Sequence, residues 1–166
     1  LYQSDSRSFE EKLKIGNDKE DLLVELLNLN GVPSKLNNEE DVKDIDIELV
    51  YDEMYVDSKY LESEFMWSMQ HTGIEPENCL LINKSHVEAY AKKEANTGKK
   101  VWVAFLVDFK KFGIYEYRFF PNSYLIHKIQ NSGPLKNNKL NVSRIEGKEL
   151  KAFLDYVNLL RAVKGK

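Results

Sequence analysis

Asp44, Asp46, Asp57 and Lys59 stand close together in the stretch 44–59, which reads Asp-Ile-Asp-Ile-Glu-Leu-Val-Tyr-Asp-Glu-Met-Tyr-Val-Asp-Ser-Lys. Carboxylates beside a lysine suit phosphate chemistry, since Mg²⁺ is held by one or two carboxylates together with water and substrate phosphate. The spacing supplies the means of gathering them. Ile45, Ile47 and Leu49 alternate with Asp44, Asp46 and Glu48, and Met54 and Val56 alternate with Tyr55, Asp57 and Lys59. Period-2 alternation on both sides of a polar break reads as two half-buried strands joined by a hairpin. A two-residue turn at Asp52 and Glu53 sets Glu48 opposite Asp57 and Asp46 opposite Lys59. Asp46 and Asp57 then become diagonal neighbours at ~7–8 Å. Like charges facing across a sheet repel, so a cation belongs there. The competing reading is a solvated polar face on an antiparallel sheet.

The elements that must hold this hairpin follow from the rest of the chain. Its 166 residues are 42% hydrophobic, enough for one globular domain, 1–166, with a sizeable core. The single cysteine, Cys79, excludes a disulfide framework and a thiolate zinc cluster, and suits a buried thiol in a reducing, cytoplasmic setting. No apolar run approaches about 18 residues, so no membrane span is expected. No signal peptide is evident. The chain begins at Leu1, so residues upstream are not excluded. Charge is uneven although the net is only −3: residues 1–80 carry 7 basic and 20 acidic side chains, and residues 81–166 carry 17 and 7. A metal site beside a phosphate-binding surface has this pattern, and so do two halves that attract each other.

Leucines and Ile15 at helical spacing predict a helix over 8–28, divided near Gly16 and closed by Gly31. A short edge strand over 33–36 precedes the hairpin, with a polar loop at 37–41 between them. Residues 61–77 read as irregular. A buried strand at 80–82 leads to a helix over 86–96, capped by Ser85 and ended by Gly98. The apolar run 101–109 reads as a central strand, followed by a turn at 110–113 and a strand over 114–120 stopped by Pro121. A further strand is expected at 124–129 and a loop at 131–138. An amphipathic helix closes the chain to Val163, with Leu150, Phe153, Leu154, Val157 and Leu160 inward. The expected class is α/β, a mixed sheet flanked by helices.

This order, with Asp57-Ser58-Lys59, resembles the PD-(D/E)XK nuclease superfamily and its restriction-endonuclease-like fold. The αβββαβ core of that superfamily carries an Asp on its second strand and Asp/Glu-x-Lys on its third. Asp44 lies 13 residues before Asp57 and Asp46 lies 11 before it, each followed by Ile. Both spacings suit the motif. Strand pairing favours Asp46, with Asp44 as the alternative, and no proline precedes either residue. Glu20 resembles the acid that many members carry on the first helix, with Glu25 a weaker choice. Lys84 and His86 occupy the place where the following helix often supplies a Gln, Lys or His. The resemblance covers about residues 16–120, with the segment 61–83 an insertion.

The resemblance implies metal-dependent hydrolysis of DNA phosphodiester bonds. Asp46 and Asp57 would hold Mg²⁺ or Mn²⁺, with Glu20 as an outer ligand or water orienter. Lys59, expected as an ammonium, would position the attacking water or stabilise the transition state. Lys92, Lys93, Lys99, Lys100, Lys110 and Lys111 are candidates for DNA phosphates. Tyr115, Tyr117 and Phe119 alternate on one strand, where core or interface packing is expected over base stacking. A homodimer would suit cutting both strands of a duplex. The alternative is a catalytically inactive module of the same fold that binds nucleic acid or protein.

Overall fold

The strand β5 (Lys100–Phe109) is apolar at nearly every position and is buried on both sides. Val101, Val103, Phe105, Val107 and Phe109 enter one core layer, and Trp102, Ala104 and Leu106 enter the other. The computed structural model describes residues 9–37 and 45–165. Among them, β5 lies inside a six-stranded sheet whose other members are β1 (Ser34–Leu36), β2 (Ile47–Leu49), β3 (Met54–Leu61), β6 (Ile114–Pro121) and β8 (Lys148–Glu149), in the order β1-β2-β3-β5-β6-β8. Only β3 and β5 run parallel; the other neighbours are antiparallel. A parallel pair needs a long crossover. Here it passes through α2 (Ser68–Thr72), β4 (Cys79–Asn83) and α3 (Lys84–Thr97).

Helices divide between the two faces. Leu23 and Leu27 of α1 (Phe9–Leu29) and Phe153 and Val157 of α5 (Leu150–Lys164) share the layer of Ile47, Leu49, Met54 and Val56. Val87 and Tyr90 of α3 and Leu125 of α4 (Asn122–Gln130) share the layer of Tyr55. On that side β4 also pairs with β7 (Lys139–Ser143), and Leu80, Ile82, Leu140 and Val142 face inward.

Several local expectations change. The first helix runs on through Gly16, and Gly31 follows it at φ 79. Asn83, not Ser85, precedes the first turn of α3. Residues 61–77 include α2. The expected strand at 124–129 is helix α4: Leu125 and Ile129 lie one turn apart, and the Asn122 side-chain amide donates to the Val87 carbonyl at 3.0 Å, tying α4 to α3. Strands β7 and β8 were not expected. The alternation Leu140, Val142 in Lys-Leu-Asn-Val-Ser is the signal for β7.

The hairpin differs in register. Ile47 pairs with Val56, Glu48 with Tyr55 and Leu49 with Met54, across the four-residue loop 50–53. A two-residue turn of the favoured kind needs positive φ at both central positions, which Asn and Gly supply readily. Asp52-Glu53 offers neither residue, and only Glu53 takes that conformation (φ 51). The shift is two residues, so each paired side chain keeps its face. Ile45 does not: the chain bends before β2 and places it in the layer of Tyr55, across the sheet from Ile47.

The loop is anchored from the far end of the chain. Arg161 Nε and Nη2 donate to the two carboxylate oxygens of Asp52 at 2.8 Å each, and Nη1 donates to the Gly31 carbonyl at 2.8 Å. Asp52 is buried. Removing the guanidinium strands a buried carboxylate, so Arg161→Met should destabilise the protein by about 2 kcal/mol. Arg161→Lys should recover only part of the loss, because an ammonium cannot bind both oxygens in a fork. Urea unfolding of the three proteins measures this.

Candidate active site

The paired register ends at Ile47 and Val56, and Asp57 is the next residue of β3. Asp57 lies on the α3 side of the sheet, with Tyr55. That face is covered, contrary to a solvated polar sheet: Tyr55 is 1% exposed and Asp57 2%. Asp46 sits just before β2, where its Oδ2 accepts the Ser58 backbone N–H at 2.9 Å. A side chain thus replaces the next rung of the ladder.

Three elements converge on Asp57. On its own strand, Lys59 Nζ lies 3.1 Å from Asp57 Oδ2. From α3, the Tyr90 hydroxyl donates to the same oxygen. His86, one turn earlier on that helix, places Nδ1 3.2 Å from Lys59 Nζ. An ammonium only donates, so this contact needs His86 Nδ1 unprotonated. Spacing i, i+4 puts both side chains on one helical face. Tyr90 was missed in the sequence; its distance from His86 is the signal that finds it.

From α1, Glu20 reaches the carboxyl of Asp46, which also lies within hydrogen-bonding reach of Asp57. The electrostatic cost is large. Burial first, then the negative charge of Asp57, pushes Asp46 from 3.8 to about 9, although the Ser58 N–H opposes the shift. Burial also raises Glu20, against a hydrogen bond from Asp46 and the charge of Lys59. Acids raised by burial and by one another's charge fit a hard divalent ion, which would offset both costs. Among the described residues no three His, Cys, Asp or Glu side chains form a ready-made ligand cluster. A pair of carboxylates suits Mg²⁺ or Mn²⁺, which one or two carboxylates hold together with water.

The remaining candidates separate. Asp44 lies outside the described residues. Glu25 is exposed on α1, and Lys84 is half-buried in the first turn of α3. Glu48 is committed to Lys99 at 3.3 Å and Lys35 at 3.8 Å. The six lysines do not form one patch. Lys99 and Lys100 lie at the start of β5, and Lys110 and Lys111 at its end, about 30 Å away along a strand of this length. Lys92 and Lys93 lie on α3, where Lys92 is exposed. The aromatic row on β6 is chiefly core: Tyr117 and Phe119 are buried, Phe119 stacks on Phe153 at 4.2 Å, and Tyr115 is exposed.

No protein-family model and no curated protein matches the chain. Among solved structures it is similar to Hjc of Archaeoglobus fulgidus, a Holliday junction resolvase from an archaeal hyperthermophile. The TM-score is 0.55 and the identity 14%, over 84% of this chain and 95% of that one. The chain has a restriction-endonuclease-like fold.

The raised Asp46 has a consequence for stability. The folded protein holds this proton where the unfolded chain has released it. The contribution is full below about pH 4 and is lost as pH rises towards about 9. In EDTA, stability should therefore fall from about pH 5 to about pH 8, and Asp46→Asn should flatten that decline. Urea melts of both proteins across this range test it.

Proposed function

We propose that this chain is a metal-dependent nuclease that hydrolyses DNA phosphodiester bonds, most simply as an endonuclease. The observation that carries the reading is the meeting of Asp46, just before β2, with Asp57 beside Lys59 on β3. Asp46 and Asp57 would hold Mg²⁺ or Mn²⁺, with Glu20 at the outer edge. When bound, such an ion polarises a phosphoryl oxygen and makes water a better nucleophile.

The protein's own groups divide the remaining work. Asp57 is aimed by two donors on one oxygen, the Tyr90 hydroxyl and the Lys59 ammonium, leaving Oδ1 free of both. Asp46 is oriented by the Ser58 N–H through Oδ2. Lys59, held between Asp57 and His86, offers positive charge where a phosphorane-like transition state gathers negative charge. His86 fixes the direction of the ammonium. Tyr90 keeps Asp57 in place without touching substrate.

The test uses supercoiled plasmid and single-stranded DNA with Mg²⁺, Mn²⁺ or EDTA. Cleavage should need the metal and disappear in Asp57→Ala and Lys59→Ala. Lys59→Arg should also fail, because the fork of Arg does not fit between Asp57 and His86. Cutting that survives in all three variants refutes the site. If the protein binds DNA but the wild type never cuts it, the chain is a binding module of this fold. Tyr90→Phe keeps the ring and removes the donor. It should lower activity about 10- to 100-fold, as loss of a ligand's supporting partner does, and raise the metal concentration needed for half-maximal rate.

A further inference from the structure

On the outer side of the β4–β7 pair, the segment 61–78 faces the loop 131–138 across a groove of about 690 Å³. Its floor is the outward row of the small sheet, where Leu81 pairs with Asn141. Its walls carry Lys136, Lys139 and His71, and among the described residues no acid lines it. That is unusual in a chain of net charge −3. The four acids of the same segment, Glu62, Glu64, Glu75 and Glu77, all lie outside the lining. Phe65 and His71 stack in the groove, with ring planes 4° apart and centroids 5.9 Å apart.

A groove that is cationic, open and floored by apolar and amide groups, with a flat aromatic pair, matches a nucleic-acid strand whose bases are free. Stacking needs an exposed base face, which a duplex withholds and a single strand presents. The phosphates of that strand would meet Lys136 and Lys139. One end of the groove adjoins the start of α3. Lys139 pairs with Asn83, the last residue of β4, and α3 begins at the next residue and carries His86 to Lys59. We infer that this groove binds single-stranded DNA flanking the bond to be cut, so that the preferred substrate carries an unpaired segment. This names a substrate class for the site proposed above and rests on that reading. Its affinity is measurable without catalysis.

Binding of a labelled oligo(dT) of about 12 nucleotides, a length within the range such grooves cover, is followed by anisotropy in EDTA, beside a duplex of the same length. The wild type should bind the single strand more tightly. Lys136→Ala with Lys139→Ala, both exposed positions, should weaken that binding about tenfold near 0.1 M salt and reduce the salt slope by about 1.4. Phe65→Ala should weaken it about fivefold or more. Lys151→Ala, on α5, should leave it unchanged. No binding by the wild type, unaltered binding by the groove variants, or an equal loss for duplex and single strand overturns the inference. If the groove variants lose the single strand but the wild type cuts no DNA with metal, the groove stands and the nuclease reading falls. If cutting is intact in the groove variants and single-strand binding is unchanged, the reverse holds.

Discussion

Two carboxylates held within reach of each other where the β2–β3 ladder ends are the constraint around which this molecule is arranged. Asp46 lies just before β2 within hydrogen-bonding reach of Asp57, and Asp57 is almost fully buried. Burial penalises a carboxylate's charge, and a second carboxylate across the strand adds to the penalty. The protein meets this cost in three ways. Asp46 retains a proton near neutral pH. Asp57 takes an ammonium and a phenol on one oxygen. The Ser58 N–H, otherwise a ladder donor, turns to Asp46. None of these would be needed on a wet sheet face, where water would solvate both acids.

The position of α3 follows from the topology. Because β3 and β5 run parallel, the chain must leave the end of β3 and return to its beginning, and the crossover must cover one face of the sheet. That face carries Tyr55, Asp57 and Lys59. The crossover helix therefore lies over the polar row, and a tyrosine and a histidine one turn apart meet its carboxylate and its lysine. Packing and chemistry share the same helix: Val87 and Tyr90 are buried in the core layer, and the hydroxyl at the tip of Tyr90 finds its partner in Asp57.

The parts legible in the sequence were those with a strong period. Both sides of β5, the alternating strands β2 and β3, and the apolar stripe of α5 could be read from residue types alone. The faces of the paired residues of β2 and β3 were legible as well, since parity survives an error of two in register. What could not be read depended on contacts distant in sequence. The loop 50–53 takes its form with Arg161 bound to Asp52, 109 positions away, so no local rule about turns identifies it. The helix at 122–130 has apolar residues that fit a short strand equally well, and its docking on α3 through Asn122 and Val87 decides between them. The lysines were legible as charge but not as a surface, because a strand of ten residues carries its ends far apart.

The uneven charge has a physical use within the fold. Among the described residues, ion pairs joining the acidic first half to the basic second half include Asp52 with Arg161, Glu48 with Lys99, and Glu53 with Lys164. All three lie around the hairpin loop and its neighbouring strand ends, away from Lys59. Ion pairs that are exposed contribute little each, but the buried Asp52 oxygens make the first of them structural. These pairs take up acids that would otherwise add to the negative field around Asp46 and Asp57. At the candidate site the cation that Asp57 meets comes instead from its own strand, Lys59 at 3.1 Å.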